Sequence, residues 1–361
     1  MESYKDVGAA NWTEREAGVD WVDEGAVDTA TAIAIGSVSF DSGEEDFELD
    51  ITTWMTNNWN SLSDISFAIT FTSTESAGET NFYTKKFFSR SSEFFFKRPI
   101  IEARSANAIG DDRGKFYKAS PALSAGDNEQ KLYFYNTVAG SRKSLELGTD
   151  RLYVRFYSDS THSTELSPDL FEEATETETG SGIYEATITL PNDYSSTTVY
   201  DRWFISADGN AETSKLKEGS IKVLTRDFDT DSGELDYVVD ITNMKSSYSR
   251  EETAKFRVYT RAKDWCPTIY TVASKELENN IVEKIYYKIV RMVDDETVID
   301  YGIGTTLLNN DHTLASYDAL GSYFDFDMSL LESGYMYGIK LMFSVNGELL
   351  EQPETFKFRV D

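Results

Sequence analysis

The chain has 361 residues, of which 40 % are hydrophobic and 14 % aromatic, so it can build packed cores and is not a disordered chain. Its formal net charge of −29 repels phosphate backbones and anionic lipids, which argues against nucleic acid and membrane as partners. The single cysteine, Cys266, excludes an internal disulfide framework.

Two further features bear on where the protein is made. No apolar run approaches the roughly 18 residues of a membrane span. Residues 1–20 are polar and acidic, without the basic and apolar regions of a secretory signal. We therefore expect a soluble protein that assembles in a cytoplasm.

Taken in chain order, short runs of alternating apolar and polar residues predict antiparallel strands that are buried on one face. The aromatic and threonine content also favours strands over helices. The clearest of these runs are residues 66–72, 131–135, 152–157, 183–190, 254–260, 285–291, 338–344 and 354–360.

Polar, glycine-containing stretches at residues 105–114 and 226–234 mark candidate domain boundaries. We predict three domains, spanning residues 1–105, 106–225 and 226–361. Residues 165–182 are acidic and predict a long exposed loop in the middle domain. Short strands separated by polar stretches, without long helical periodicity, indicate an all-β protein built from tandem antiparallel β-sandwich domains.

An aspartate, an apolar residue and a threonine or serine follow one another at 50–52, 240–242 and 327–329. Oxygen-bearing side chains at such positions can accept a backbone N–H bond and cap a helical turn. Met55 and Trp59, four residues apart, would then share one helical face. The pattern predicts a strand-to-helix corner at each of the three places.

Residues 82–104 reverse the charge of the chain, with six basic and two acidic side chains. Residues 1–64 instead contain 15 acidic and two basic side chains. The two stretches could pair within one domain or face solvent separately, or they could form a complementary contact between neighbouring copies. The candidate interface residues are Lys85, Lys86, Arg90, Lys97 and Arg98.

Asp227, Asp229 and Asp231 have the spacing that opens a calcium loop. An EF-hand loop requires glycine at its sixth position and glutamate at its twelfth, where this chain has Ser232 and Val238. A solvated linker is therefore the expected structure, and a looser calcium site between domains is the alternative. No other metal and no cofactor is expected.

The two histidines, His162 and His312, lie in polar stretches without metal-ligand spacing, and we expect them to be exposed loop residues. Tryptophans are most often buried in β-sandwich cores, whereas exposed coplanar rings would form sugar-stacking platforms. The six tryptophans are Trp12, Trp21, Trp54, Trp59, Trp203 and Trp265.

The sequence contains no phosphate-binding loop, dinucleotide fingerprint or nucleophile elbow. With 63 acidic residues, two carboxylates are expected to lie close together by chance, so such a pair would not indicate glycoside hydrolysis. We expect a protein without catalytic residues.

Residues 46–104 resemble the C-terminal part of DNRLRE-type jelly-roll domains, through the corner at 50–52, Trp54, Trp59 and the stretch after Arg98 and Pro99. Most of the chain resembles virion structural proteins of marine tailed bacteriophages. The segments that carry this wider resemblance are 113–117, 264–270, 323–343 and 351–360.

The resemblance implies a jelly-roll-like domain followed by two immunoglobulin-like domains, with no catalytic residues. The jelly-roll family has further strands upstream of the matched part, and a sandwich that lacks strands leaves unpaired edges. We therefore expect a neighbouring copy, another virion protein or a rearranged N-terminal segment to complete the domain at residues 1–105.

The resemblance also implies a function: a non-enzymatic structural component of a tailed-phage virion, at the tail, the neck or the head surface, assembled in the host cytoplasm. Its partners would be other virion proteins and copies of itself. The alternative is a carbohydrate-binding adhesin module, on a virion or a cell surface, that binds a host surface glycan.

Overall fold

The computed structural model describes residues 14–16, 18–22, 33–61, 65–71, 85–166, 169–226, 237–269, 271, 280–304, 310–345 and 347–361. The chain forms two compact units, Met1–Ile101 and Glu102–Asp361, called unit 1 and unit 2 below. The predicted all-β architecture of antiparallel sheets is confirmed, because the regular structure of the described residues is mostly strand. None of the described helices is long and apolar enough to span a membrane.

In unit 1, the regular structure of the described residues is limited to one strand pair and short helices. The Asp50 carboxylate accepts a hydrogen bond from the Thr52 backbone N–H at 2.8 Å, which satisfies a free donor where the helix begins. The elements are β1 (Glu14–Glu16), which pairs with β2 (Val19–Asp20), α1 (Thr52–Asn58), and the 3-10 helices η1 (Trp59–Ser61) and η2 (Phe95–Lys97).

Within the described residues, the strand predicted at 66–72 is absent. Residues 65–71 lie outside every strand ladder among the described residues, although isoleucine and phenylalanine alternate with small residues along them. Ile69 is 58 % exposed, and Phe67 packs edge to face on Trp54 at 5.8 Å. The apolar pattern of a strand is present here, and no described strand pairs with it.

The first part of unit 2 is a seven-stranded sheet in the order β3-β11-β10-β7-β8-β9-β4, with a small β5–β6 hairpin beside it. All neighbours in this sheet are antiparallel except β3 and β11. The elements are η3 (Asp112–Gly114), β3 (Phe116–Tyr117), η4 (Gly126–Asn128), β4 (Gln130–Tyr135), β5 (Thr137–Val138), β6 (Ser141–Arg142), β7 (Arg151–Tyr157), β8 (Phe171–Glu176), β9 (Ile183–Ile188), β10 (Thr198–Ser206) and β11 (Ser214–Leu224).

This sheet curls until its two edge strands meet. The Gln130 side chain on β4 accepts a hydrogen bond from the Tyr117 backbone N–H and donates to the Tyr117 carbonyl at 2.6 Å. Just beyond β3, the Ala119 N–H donates to the Leu190 carbonyl at 2.8 Å. A buried side-chain amide thus replaces a peptide group between the edges, so their polar groups are satisfied without a further strand.

The inside of the curled sheet is the apolar core of this region. Leu152, Val154 and Phe156 on β7 point inward, as expected from the two-residue period of a strand, and the ring of Trp203 stacks on Phe134 at 5.5 Å. On the other face of β7, Tyr153, Arg155 and Tyr157 are buried as well, and Arg151 at the start of the strand is exposed. Strand β7 is therefore covered on both faces.

The second part of unit 2 is a sandwich of a four-stranded sheet, β12-β14-β18-β17, and a five-stranded sheet, β13-β20-β19-β15-β16. Alternate residues of β14, such as Phe256 and Val258, point into the core against Phe324 and Phe358. The elements are β12 (Tyr237–Ile241), β13 (Ser247–Tyr248), β14 (Thr253–Ala262), β15 (Lys284–Arg291), β16 (Glu296–Ile299), β17 (Ser316–Asp318), β18 (Gly321–Asp327), η5 (Met328–Leu330), β19 (Met336–Val345) and β20 (Glu348–Val360).

Residues 109–115 join the curled sheet to the sandwich. Asp111 N–H donates to the Tyr317 carbonyl at 3.0 Å, and Tyr317 N–H donates to the Ile109 carbonyl at 2.9 Å. The Tyr317 hydroxyl also donates to Asp112 at 2.9 Å. Gly110 is required beneath that ring, because a Cβ atom there would lie 2.6 Å from the hydroxyl oxygen. This stretch, which the sequence predicts as a boundary, is an ordered junction.

Arg113 ties the same junction to the curled sheet through a buried ion pair. Its guanidinium donates two hydrogen bonds of 2.9 Å to Asp201, which also accepts a bond of 2.9 Å from the Trp203 indole. A Cβ atom at Gly219 would lie 2.7 Å from the Asp201 carboxylate. Glycine on β11 therefore makes room for a pair whose hydrogen bonds offset the cost of burying two charges.

Seven of the eight predicted strands are confirmed, all in unit 2. The predicted loop at residues 165–182 is wrong, because it contains β8, which pairs with β7 and β9. The domain limits near residues 106 and 226, and the jelly-roll-like and immunoglobulin-like assignments, stay predictions. Residues 227–234 of the second boundary lie outside the described residues.

The three predicted corners have two outcomes. Helical turns follow Asp50 and Asp327, and the Asp327 carboxylate accepts the Ser329 N–H at 2.9 Å. Strand β12 instead leads into a turn after Ile241, with no helix. A single capping side chain does not make a helix unless the following residues can also adopt helical geometry.

Candidate assembly interface

Unit 1 exposes a group of aromatic and basic side chains. The rings of Phe88 and Phe94 meet edge to face at 5.7 Å and are 50 % and 56 % exposed. Lys86 and Arg90 lie beside them in the chain and are also exposed. We call Lys86, Phe88, Arg90 and Phe94 the basic aromatic patch. A soluble protein rarely leaves paired aromatic rings in water, so this surface is a candidate contact site.

Residues 41–48 are called the acidic loop below. They pack against Lys85 and Phe87, which are the chain neighbours of the patch residues Lys86 and Phe88. The Phe87 ring contacts Phe40 at 6.4 Å and Phe47 at 6.1 Å. Lys85 lies over the Phe40 ring at 4.0 Å and donates to the carbonyls of Gly43 and Glu45 at 2.6 and 3.0 Å. Lys85 and one aromatic cluster therefore hold the acidic loop within unit 1.

The five predicted interface residues divide into three groups. Lys85 and Lys97 contact the acidic loop of their own chain, Lys97 through an ion pair with Asp46 at 3.9 Å. Arg98 donates to the Ser92 carbonyl at 2.8 Å and covers the Phe95 ring. Lys86 and Arg90 make no ion pair with any described residue. Pairing within one domain thus accounts for Lys85 and Lys97, and only Lys86 and Arg90 point to an outside partner.

The strongest charged cluster of unit 2 lies on the outer face of the curled sheet. Arg202 donates to Glu212 and to Glu218, both at 2.7 Å, and the buried Arg155 donates to the Gly209 carbonyl at 2.8 Å. The Arg155 guanidinium lies between two aromatic rings. These contacts fasten the loops around residues 165 and 210 to the sheet.

Within this cluster, the Glu212 carboxylate and the Tyr157 hydroxyl are not poised for acid–base chemistry. Burial alone would raise the pKa of Glu212, but hydrogen bonds from Tyr157 and Arg202 lower it below its ordinary value. Burial and the bond to Glu212 raise the pKa of Tyr157 to about 12. At neutral pH neither group exchanges a proton readily, which suits a structural network better than a catalytic pair.

The calcium candidate formed by Asp227, Asp229 and Asp231 lies outside the described residues. Within the part of the chain that the structure describes, no group of three or more histidine, cysteine or acidic side chains could hold a metal ion. A shallow pocket of about 250 Å³ opens beside Leu145 and Tyr184 on the curled sheet.

The expectation that both histidines are exposed is wrong. The His162 side chain lies between Tyr157 and Tyr200, with Nε2 3.2 Å from the Asp201 carbonyl. His312 is half-buried, and burial lowers the pKa of its imidazole. Polar neighbours in the sequence indicated loops correctly but did not reveal that these loops fold back onto the protein.

The described tryptophans differ in burial. Trp203 is fully buried, Trp21, Trp54 and Trp265 are half-buried, and Trp59 is 64 % exposed. Trp12 lies outside the described residues. Of the described tryptophans, only Trp203 is fully buried, as expected for a β-sandwich core. The described tryptophans do not form a sugar-stacking platform of several coplanar rings.

Comparison with known proteins adds no assignment. No protein-family model matches the chain, and no curated protein sequence matches it.

Proposed function

We propose that this protein is a non-enzymatic structural component of a tailed-phage virion that acts through protein–protein contacts. It belongs at the tail, the neck or the head surface. Its partners are other virion proteins and further copies of itself.

The observation that carries the proposal is the contrast between the two units. In unit 2, Gln130 joins the two edge strands of the curled sheet, and Arg113 and Asp201 pair as buried charges. Unit 1 instead leaves Phe88 and Phe94 half-exposed, and its apolar residues 65–71 form no strand ladder among the described residues. A stable body combined with an unfinished apolar surface is what an assembly component needs, because the missing partner is supplied on assembly.

The resemblance to phage virion proteins supports the same function. Two of the segments that carry it, 323–343 and 351–360, overlap β18, β19 and β20 of the sandwich. A third, 113–117, begins at the arginine that joins the junction to the curled sheet. The resembling residues are thus framework residues, which suits a building block better than an enzyme.

A carbohydrate-binding role is the second candidate, and the exposure of Trp59 favours it. Stacking on a sugar ring gains strength from several aromatic faces, and the described tryptophans supply one exposed face. The exposed aromatic rings of the basic aromatic patch meet edge to face, which is not a flat platform. Assembly is therefore the function that the geometry supports better.

The test is the protein composition of purified phage particles. We expect quantitative mass spectrometry to find this chain in particles that have passed two density gradients, at a fixed ratio to the major capsid protein. Its recovery only in the soluble fraction of the lysate, with gradient-purified infectious particles free of it, would overturn the proposal.

A further inference from the structure

Neighbouring residues of the stretch 85–89 differ in what they contact. Lys85 and Phe87 contact Phe40 and the acidic loop of their own chain. Phe88 instead meets Phe94, and both rings are half-exposed. Lys86 and Arg90 are exposed and make no ion pair with any described residue, including those of the acidic loop. The patch is therefore accessible to a second acidic loop.

The basic aromatic patch has the anatomy of a small protein interface. Its centre is a pair of half-exposed rings, and its rim carries two cations that make no ion pair with any described residue. Interfaces with an aromatic centre and a charged rim bind through the rings and select their partner through the charges. The partner must therefore offer an apolar contact beside a negative surface.

The acidic loop supplies such a surface in a fixed shape. The Glu45 carboxylate accepts bonds from the Ser42 backbone N–H at 2.6 Å and from the Ser42 hydroxyl at 2.7 Å. Asp41 and Glu44 are exposed and form no ion pair with a described residue. Half-buried Phe40 and Phe47 flank them. A preformed loop binds with little loss of conformational freedom.

We propose that the basic aromatic patch of one copy binds the acidic loop of a second copy of this chain. The inference rests on the proposed function, since this contact would join neighbouring copies in the particle. Lys85 and Lys97 already bind the same loop within one chain, so its affinity for lysine is visible in the structure. The chain carries both complementary surfaces, and among the described residues no ion pair joins Lys86 or Arg90 to the acidic loop of the same chain.

The experiment uses paired charge reversals in the full chain, with association measured by analytical ultracentrifugation. One variant combines Lys86→Glu with Arg90→Glu, and the other combines Asp41→Lys with Glu44→Lys. We expect the wild type to self-associate and each variant alone to associate at least about tenfold more weakly, because like charges then face each other. Mixing the two variants restores association, because the reversed, acidic patch of one meets the reversed, basic loop of the other, and the native patch meets the native loop.

A matched control carries Lys222→Glu and Lys357→Glu, which reverse two exposed cations of unit 2 and change the net charge by the same amount and sign as the patch variant. It should associate like the wild type. Circular dichroism of every variant checks that the β structure is kept.

Two results would overturn the inference. One is a wild type that stays monomeric at every concentration reached, and the other is a mixture of folded variants that fails to associate. If purified particles still contain the chain in that case, the proposed function stands and the patch binds a different virion protein. Absence of the chain from particles would instead remove the proposed function, whatever its state in solution.

Discussion

At the scale of single residues, the two adjacent aspartates of the junction behave differently. Asp112 is satisfied by the Lys131 backbone N–H at 2.7 Å and by the Tyr317 hydroxyl at 2.9 Å. Asp111 is as deeply buried but accepts only the Arg113 N–H at 3.2 Å. Burial raises the pKa of Asp111 to about 6, although the nearby Arg113 charge acts against that rise. The junction thus holds one carboxyl group that the fold prefers to keep neutral.

The Asp111→Asn variant should make the protein less sensitive to pH. Between the ordinary aspartate pKa of about 4 and about 6, the folded state binds a proton that the unfolded state has lost, so stability falls as pH rises through this window. Asparagine keeps the acceptor and carries no charge. We expect it to stabilise the protein by on the order of 1–3 kcal/mol more at about pH 8 than at about pH 4, measured by urea unfolding.

Asp112→Asn is the matched control, because its side chain is also buried, and it accepts hydrogen bonds from Lys131 and Tyr317 and lies 3.5 Å from the Lys115 ammonium. An Asp111→Asn effect of equal size at both pH values would contradict the raised pKa.

The role of a residue was predictable from the sequence where it depends on local chemistry, and not where it depends on contacts made by the fold. Charge reversal identified the basic segment, but only the contacts in the structure separate Lys86 from Lys85. The polarity around His162 indicated a loop, yet that loop packs its histidine against Tyr157. Such contacts depend on residues distant in the chain, which local patterns do not encode.

At the scale of elements, a strand was predictable when its own apolar and polar side chains alternate. It was not predictable when it forms only because neighbouring strands pair with its backbone. Strand β14 shows a regular alternation and was predicted. Strand β8 has a single buried side chain, Ala174, and four acidic or polar neighbours, so its sequence indicates a loop. It becomes a strand because β7 and β9 both pair with its backbone.

The closure of the curled sheet by Gln130 was likewise not visible in the sequence, and it gives a prediction at this scale. Gln130→Leu keeps the size of the side chain but leaves the Tyr117 N–H and carbonyl without partners. Each unsatisfied buried group costs about 1–3 kcal/mol, so we expect a loss of roughly 2–4 kcal/mol in urea unfolding. Hydrogen exchange of the Tyr117 amide should accelerate in the folded protein.

Gln352→Leu serves as the control, since this half-buried amide makes a single bond to the Leu350 carbonyl at 3.2 Å. It should change stability by less than about 1 kcal/mol. An unchanged stability of Gln130→Leu, with the Tyr117 amide still protected, would contradict the closure.

At the scale of the whole molecule, the two units differ in how far their sequence determines a structure. The strands predicted in unit 2 find partners within the chain and form. The one predicted in unit 1, at residues 66–72, has an equally clear apolar pattern, but its described residues join no strand ladder. A pattern predicts the preference for a strand, but pairing needs a second edge. The prediction that a neighbouring chain completes this region is consistent with that difference.

The central claim is that this chain is a component of the phage particle, and that neighbouring proteins cover the exposed apolar residues of its unit 1. Cryo-electron microscopy of purified particles, with side-chain density assigned to this chain, tests it most directly. We predict ordered copies at the tail, the neck or the head surface, with Phe88 and Phe94 buried against another chain. Particles whose fully assigned map leaves no density for this chain, or copies whose unit 1 contacts no other protein, would contradict it.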